Sequence, residues 1–278
     1  MSGTALTSLT VAGIDLLVRE GAPQETVVWL HGIGGRAASF AEVMRRWPVG
    51  PRLIAWDQPG YGGSACHPAT WPTPADYGGV LLRVLNALDL AHADLIGQSL
   101  GGLIAATFSA MHPERVRRLV LVSPAHGYGV PVGGTLPQLL EQRIADFQRE
   151  GAGLFAAKRA PRLVFEGDQN PGVTAVVRQT MATLTDPGHS QAVKVLASGS
   201  IAAAVAILPH DVLLLSGADD VITPPAGTRS LYEALVQRGC SSVSSQRLEF
   251  IPRAGHAAYL ERSDAVVSAV TAFVGGTA

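Results

Sequence analysis

Short runs that are apolar at nearly every position recur along the chain and alternate with stretches of helical periodicity. Runs of four or five such residues are typical of strands that are buried on both faces of a parallel sheet. Their alternation with helices predicts an α/β fold, with a mostly parallel, doubly wound sheet and helices on both faces. The alternating residues 16–18 predict antiparallel strands at one edge. The five runs are residues 26–30, 53–56, 93–96, 119–122 and 212–215.

The alternation stops between residue 123 and about residue 208, where the sequence shows helical patterns but no buried strand. An insertion of this length between two strands predicts a helical cap, or lid, over one end of the sheet. We therefore expect an α/β core of residues 1–123 and 209–278 and a cap of residues 124–208. Alternatively, these helices only thicken one face of the sheet. A capping box from Thr135 to Gln138 predicts the start of a cap helix that runs to about Arg149.

The charge balance excludes several classes of function. Lys and Arg total 21 and Asp and Glu total 22, so the formal net charge is −1. This balance offers no electrostatic footprint for nucleic acid or for an anionic membrane. The longest apolar run, residues 201–208, is too short to cross a bilayer, and the first residues lack the pattern of a secretion signal. Two cysteines cannot form a disulfide framework, so we expect a cytoplasmic globular protein.

A Gly-x-Ser-x-Gly pattern occupies residues 97–101, directly after the predicted strand 93–96 and before a predicted helix. The glycines allow the sharp turn that would lift Ser99 Oγ above the sheet. The same pattern also arises by chance in glycine-rich turns. Ser99 is therefore a candidate nucleophile only if the chain also supplies a base and an orienting acid.

Among the eight histidines, His256 has the best setting for the base, because it follows the apolar run 248–251 and precedes a predicted helix. The candidate acids are Asp219 and Asp220, which follow the predicted strand 212–215, at the edge where parallel sheets place their chemistry. Only one of the two can point at His256. The acid can also follow the strand that precedes the insertion. That segment offers no candidate here, because residues 123–134 contain no Asp or Glu.

A glycine-rich loop, residues 31–35, can present bare backbone N–H groups to an oxyanion. Residues 32–37 also match the dinucleotide-binding pattern Gly-x-Gly-x-x-Ala, with Asp57 about 20 residues further on. We disfavour that alternative because Asp57 opens the turn-rich segment DQPGYGGS, which cannot begin a crossover helix. The alternative would also leave Ser99, Asp220 and His256 without a role.

Five ordered segments resemble the α/β-hydrolase superfamily over nearly the whole chain. They are HGIGG, WDQPGYGGS, GQSLGG, GADDVITP and AGHAAYLE. The order Ser, Asp, His is that of the superfamily. The resemblance implies that Asp220 rather than Asp219 is the acid, and that the backbone N–H groups of Ile33 and Leu100 form the oxyanion hole. It also implies a mobile helical cap. The reaction expected of Ser99, Asp220 and His256 requires no metal or organic cofactor.

The resemblance also narrows the reaction. Relatives that act on haloalkanes or epoxides use an aspartate nucleophile, and Ser99 argues against both. We expect a serine hydrolase that cleaves a small carboxylic ester or lactone through an acyl-enzyme. Its expected partners are that small molecule and water, with a homodimer left open as an assembly. A more remote alternative is a non-enzymatic receptor of the same fold that binds a small ligand.

The runner-up reaction is the hydrolysis of a carbon–carbon bond in an aromatic ring-cleavage product. Relatives with that activity usually carry an aromatic residue after the catalytic histidine, and Ala257 at this position disfavours it. They also use a cap arginine for the substrate carboxylate, and the cap of this chain leaves such a cation open. Its basic candidates are Arg143, Arg149, Lys158, Arg159, Arg162 and Arg178.

The substrate pocket is expected to combine residues of the glycine loop with residues of the cap. The candidate pocket residues are Gly32, Gly34, Gln98, His126, Leu154, Phe155, Met181 and Ala257. As a set, the large apolar cap residues are expected to make the site mainly apolar. They are Leu139, Leu140, Phe147, Leu154, Phe155, Phe165 and Met181.

Overall fold

The computed structural model describes residues 5–238 and 246–275. Its strands are β1 Leu6–Val11, β2 Ile14–Arg19, β3 Ala22–Leu30, β4 Pro51–Trp56, β5 Ala93–Gln98, β6 Val116–Val122, β7 Val212–Gly217 and β8 Gln246–Ile251. They form one eight-stranded sheet in the order β1-β2-β4-β3-β5-β6-β7-β8. β1 and β2 pair in the antiparallel sense, as do β2 and β4, whereas β3 to β8 are mutually parallel.

The central strands follow the apolar runs of the sequence. Every residue of β5 and of β7 is buried, as expected for strands that lie between two layers of helices. β1 is instead exposed at four consecutive positions, because it forms the edge of the sheet. The predicted fold class, with its antiparallel edge strands, is confirmed.

The helices flank the sheet and fill the connections between its strands. They are α1 Ala41–Arg46, α2 Pro74–Ala87, α3 Leu100–Met111, α4 Gln138–Arg159, α5 Pro171–Met181, α6 Gly188–Ser198, α7 Ile201–Val205, α8 Pro225–Gln237, α9 Ala258–Glu261 and α10 Ser263–Val274. The start of α2 is set by neighbouring residues. Thr73 and Asp76 form a reciprocal capping box, and Pro74 occupies the first turn. Among the described residues, no helix combines the length and the apolar character needed to cross a membrane.

Helices α4 to α7 lie between β6 and β7, where the sequence predicts the helical insertion. α6 packs against α2 and α3, and α7 packs against α3 and α8. The insertion therefore rests on the helices that flank the sheet. That it forms a separate cap with the boundaries 124 and 208 stays a prediction.

The start of α4 differs from the predicted one. α4 begins at Gln138, its N-cap is Pro137, and no side chain caps it, so the prediction of a capping box at Thr135 is wrong. The extended backbone of Pro137, with ψ of 137°, sets the start instead. α4 also continues to Arg159 through a bend at Gly151, whose φ of +69° interrupts the helical geometry.

Candidate active site

Ser99 stands on a strained turn between β5 and α3. Its φ of +53° and ψ of −116° are sparsely populated for a residue with a side chain, and such strain is typical of functional turns. The turn is held by hydrogen bonds from Ser99 N–H to the Val122 carbonyl and from Ala125 N–H to the Ser99 carbonyl, both of 3.0 Å. A side chain at Gly101 would overlap the carbonyl of Leu30, so only glycine lets α3 approach β3 this closely.

Asp220 and His256 form a buried hydrogen-bonded pair. The Nδ1 atom of His256 lies 2.8 Å from Oδ2 of Asp220, and the two residues are 5% and 2% exposed. Oδ1 of Asp220 accepts the backbone N–H groups of Ile222 and Thr223, at 2.8 and 3.0 Å. Asp219 is exposed, so the structure brings Asp220 and not Asp219 to the histidine.

The charge state of Asp220 follows from these contacts. Burial by itself would raise the pKa of Asp220, but attraction to His256 and the hydrogen bonds from His256 and Thr223 outweigh burial. They hold the pKa at about 2, so the group is a carboxylate at neutral pH. A carboxylate on Nδ1 fixes the ring tautomer and leaves Nε2 as the nitrogen that can take a proton.

Ser99 and His256 open onto one cavity of about 610 Å³. The hydrogen bonds of His256 go to Asp220, Thr223 and Gln98, and among the described residues none goes to the Ser99 hydroxyl. A nucleophile and its base are often too far apart to bond before substrate binds, and their contact tightens in the reacting complex. The arrangement is therefore one in which the two side chains can meet at a bound substrate.

The glycine loop after β3 lies directly beside Ser99. Gln98 joins this loop to the histidine loop, because its Oε1 accepts the Gly32 N–H at 3.0 Å and its Nε2 donates to the His256 carbonyl at 3.3 Å. A Cβ atom on Gly32 would lie 2.8 Å from the Cβ of Ser99, so the loop requires glycine there. Among the described residues, the N–H groups of Ile33 and Leu100 have no backbone acceptor, as an oxyanion hole requires.

A second layer of polar groups holds the glycine loop. The buried His31 accepts the Gln58 N–H on Nε2 at 3.1 Å, and burial lowers its pKa, so the ring is neutral. The carboxylate of Asp57 accepts the Ala37 N–H at 2.7 Å and binds Arg36 at 3.0 Å. Since protein donors occupy this carboxylate, Asp57 is not available for a ribose hydroxyl, which argues against the dinucleotide-binding alternative.

The structure places most of the predicted pocket residues around the cavity, but not all of them. Leu154 is 51% exposed and Phe155 is 1% exposed, and neither lines the cavity, which corrects that prediction. The bend at Gly151 turns this part of α4, so that Phe155 packs inside the insertion against Phe147 and His189. The predicted residues that do line the cavity are Gly32, Gly34, Gln98, His126, Met181 and Ala257.

The other apolar residues of the insertion divide in the same way. Leu139 and Leu140 line the cavity, as predicted. Phe147 and Phe165 do not, because Phe147 is buried inside the insertion and Phe165 stacks with Arg253 outside the cavity.

Arginine side chains of the insertion also reach the cavity. Arg143, Arg159 and Arg162 line it, and no Asp or Glu stands among its described lining residues. Arg143 has no ion pair or hydrogen bond to a described residue, and its buried Nε atom is unpartnered. Its guanidinium lies 5.9 Å from the centre of the Phe155 ring. Burial, together with the charge of Arg159, lowers the pKa of Arg143 to about 10.

Two polar residues of the site are absent from the sequence-based candidates. The Thr223 hydroxyl lies 2.8 Å from Oδ2 of Asp220 and 3.2 Å from Nδ1 of His256. Glu261 accepts the N–H groups of Gly255 and Phe165, at 2.9 and 2.8 Å, and so ties the histidine loop to the insertion. An aspartate in a turn often accepts the backbone N–H two residues on, as Asp220 does from Ile222, and this turn signal could have pointed to the segment that holds Thr223. The contacts of Glu261 carry no sequence signal.

Comparisons with known proteins agree with this fold. The profile of the alpha/beta hydrolase fold matches residues 25–263. A 2-hydroxymuconate semialdehyde hydrolase from Pseudomonas sp. (strain CF600) is 31% identical over 232 residues, which cover 78% of this chain and 77% of that protein. A pimeloyl-(acyl-carrier protein) methyl ester esterase from Neisseria meningitidis serogroup B (strain MC58) is 28% identical over 258 residues, which cover 90% of this chain and 93% of that protein.

A similar fold is also found among solved structures. The enol-lactonase from Burkholderia xenovorans LB400 superposes with a TM-score of 0.81 at 22% identity, covering 97% of this chain and 100% of that chain. At this identity the likeness concerns the fold.

Proposed function

Because this chain belongs to the alpha/beta hydrolase fold family, we propose that this hydrolase cleaves a small carboxylic ester or lactone, with Ser99 as its nucleophile. The observation that carries the proposal is the 2.8 Å hydrogen bond between His256 and Asp220 on the cavity that Ser99 shares. An esterase among the relatives supports an ester as the substrate. The proposed reaction needs only the substrate and water.

In the first half of the proposed reaction, Ser99 Oγ attacks the carbonyl carbon of the substrate while Nε2 of His256 takes the hydroxyl proton. Asp220 stabilises the imidazolium that forms. The negative charge that develops on the carbonyl oxygen is held by the N–H groups of Ile33 and Leu100. Each such donor contributes roughly 3 kcal/mol to the stability of the transition state.

The tetrahedral intermediate collapses when His256 returns the proton to the departing alcohol oxygen, and Ser99 remains as an acyl ester. In a lactone the alcohol stays attached to the acyl group. His256 then takes a proton from water, which attacks the acyl carbon and releases the acid and Ser99. The strained turn at Ser99 keeps its hydroxyl at the same place through both halves.

Replacing the nucleophile tests the proposal. The Ser99→Ala variant should lose about 10⁴- to 10⁶-fold in kcat for short acyl esters, because the covalent route is removed. Ser268→Ala is the matched control, because Ser268 is exposed on α10 and lies outside the cavity. Circular dichroism should show the same fold for both variants. Activity of Ser99→Ala within tenfold of the unsubstituted enzyme contradicts the proposal.

Steady-state turnover of a chromogenic acetate or butyrate ester separates an enzyme from a receptor of the same fold. An enzyme gives continued release of product. A single burst without later turnover would instead favour the receptor, because the acyl group would then stay on Ser99.

A second candidate function is the hydrolysis of a carbon–carbon bond in a ring-cleavage product. Arg143 favours it, because an unpaired guanidinium on the cavity suits a substrate that carries a carboxylate. A relative that acts on 2-hydroxymuconate semialdehyde also supports it. Parallel assays of neutral esters, carboxylate-bearing esters, lactones and 2-hydroxymuconate semialdehyde rank the candidates by kcat/KM.

A further inference from the structure

The Thr223 hydroxyl stands where three chain segments meet at the carboxyl edge of the sheet. Its oxygen lies 2.8 Å from Oδ2 of Asp220, 3.2 Å from Nδ1 of His256 and 3.0 Å from the backbone carbonyl of Ser123. These partners follow β7, β8 and β6, respectively. One hydroxyl therefore contacts segments that are 33 and 100 residues away in the chain.

The chemistry of the partners assigns the hydrogens. The Asp220 carboxylate and the Ser123 carbonyl can only accept, whereas His256 donates its Nδ1–H. The Thr223 hydroxyl has one hydrogen, which it can donate to either acceptor, and its lone pairs face the imidazole N–H. Its backbone N–H also donates to Oδ1 of Asp220 at 3.0 Å. When the hydroxyl hydrogen points to Oδ2, Thr223 binds both oxygens of the carboxylate and limits its rotation.

The contact with Ser123 extends this restraint to the nucleophile. Ser123 directly follows Val122, whose carbonyl accepts the Ser99 N–H, and Ala125 two residues later donates to the Ser99 carbonyl. The backbone that holds the Ser99 turn is therefore the backbone that the Thr223 hydroxyl contacts. The branched side chain of threonine has few rotamers, so the hydroxyl is held at this junction with little loss of entropy.

We infer that Thr223 is a positioning residue for the reaction. Its contacts fix the orientation of the Asp220–His256 pair and the position of that pair relative to Ser99. The inference rests on the proposed function, because it assumes that this pair serves Ser99. A valine at this position keeps the shape of the side chain but removes the hydroxyl. Oδ2 of Asp220 then loses one hydrogen-bond donor. Its negative charge, which is no longer shared with the Thr223 hydroxyl, stabilises the imidazolium of His256 more strongly.

The test compares Thr223→Val, Thr223→Ser and the unsubstituted enzyme on one chromogenic ester over a range of pH. For Thr223→Val we expect kcat to fall on the order of 10- to 100-fold, as for a lost hydrogen bond to a charged group. KM should change less than kcat. The acidic limb of the kcat/KM profile should move to higher pH, because the imidazolium is better stabilised. Thr223→Ser should restore both properties to near the unsubstituted values.

Thr228→Val is the matched control, because Thr228 is buried five residues later and its hydroxyl has no hydrogen-bond partner among the described residues. It should leave kcat and the pH profile unchanged. The low-field proton resonance of the His256–Asp220 hydrogen bond gives a readout that does not need activity, and Thr223→Val should shift or broaden it.

The outcomes separate the inference from the proposed function. If the unsubstituted enzyme shows no turnover that depends on Ser99, the proposed function fails. If turnover depends on Ser99 but Thr223→Val keeps its kcat and its acidic limb, only the inference is overturned. It is also overturned if Thr223→Ser is as slow as Thr223→Val while both remain folded.

Discussion

The hydrogen-bond network around His256 and the insertion above it differ in how their buried polar groups are bonded. At the sheet edge, both carboxylate oxygens of Asp220 accept hydrogen bonds, and Gln98 uses both its oxygen and its nitrogen. In the insertion, both ring nitrogens of the fully buried His189 lack a partner among the described residues, and so does Nε of Arg143. Gln98, His256 and Arg143 line the same cavity, whereas His189 does not line it.

This difference indicates how the two regions divide their tasks. The network around Asp220 and Gln98 is rigid, because any rearrangement would leave its buried donors and acceptors without partners. An unpaired buried polar group lowers stability, and proteins often accept such a cost where it serves function. The network around Asp220 and Gln98 is thus suited to hold the reacting groups in place, whereas the insertion contains buried polar groups without a partner among the described residues.

The largest effect on kcat is expected when the hydrogen bond between Asp220 and His256 is broken. Asp220→Asn should lower kcat by on the order of 10³- to 10⁴-fold, because the amide favours the wrong tautomer of His256. Steady-state hydrolysis of a chromogenic ester measures the loss. Asp219→Asn is the matched control, since Asp219 is exposed and its neighbour makes the bond to His256. If Asp219→Asn proves the slower variant, the bonding described for the sheet edge is not the one that serves the reaction.

An intermediate effect is expected from the unpaired His189. Burial, with the charges of Arg143 and Arg159, lowers the pKa of His189 to about 2, whereas the unfolded chain takes up this proton near pH 6.5. The free energy of unfolding therefore keeps its full value, as far as His189 is concerned, above about pH 6.5. It decreases progressively as the pH falls below 6.5, because the unfolded chain takes up the proton and the folded protein does not. Between pH 7.5 and 5.0 the loss in free energy of unfolding should be about 2 kcal/mol.

Urea unfolding at the two pH values checks this prediction when it is repeated on His189→Phe. The phenylalanine keeps a ring beside Phe147, which lies 4.2 Å from the His189 ring between centroids, but it cannot bind a proton. The variant should lose less stability than the unsubstituted protein on acidification. Equal losses would mean that His189 does not differ from the hydrogen-bonded groups of the sheet edge.

The smallest effect is a gain in stability from the insertion. Arg143→Met removes a partly buried charge without an ion pair and should raise the free energy of unfolding by about 1 kcal/mol. In the same variant, kcat/KM should fall more for carboxylate-bearing esters than for neutral ones. Arg149→Met is the control on the same helix, because Arg149 is exposed and paired with Asp146 and Glu150. A loss of stability in Arg143→Met would contradict this prediction and would show that the contact of Arg143 with the Phe155 ring outweighs the cost of its buried charge.

The strands show how far sequence patterns reach. The run 26–30 predicts only the buried half of β3. The strand begins earlier, at Ala22, because Ala22 pairs with Pro51, although residues 23–25 are exposed. Apolar patterns report burial, whereas strand ends depend on backbone pairing with a neighbour. The start of α4 is predicted wrongly because Thr135 and Gln138 match a local capping pattern. The helix instead starts after the extended backbone of Pro137, and that conformation is not visible in the pattern.

The sequence by itself determined the fold class and the order in which Ser99, Asp220 and His256 follow their strands, because strand runs and glycine turns are encoded by neighbouring residues. The tertiary structure alone decided which insertion residues reach the cavity, since the bend at Gly151 turns Phe155 inward while Arg143 faces the site. It also brought Thr223 to the Ser123 carbonyl, 100 residues away. Contacts of this kind depend on how distant segments pack, and no local pattern of residues records that packing.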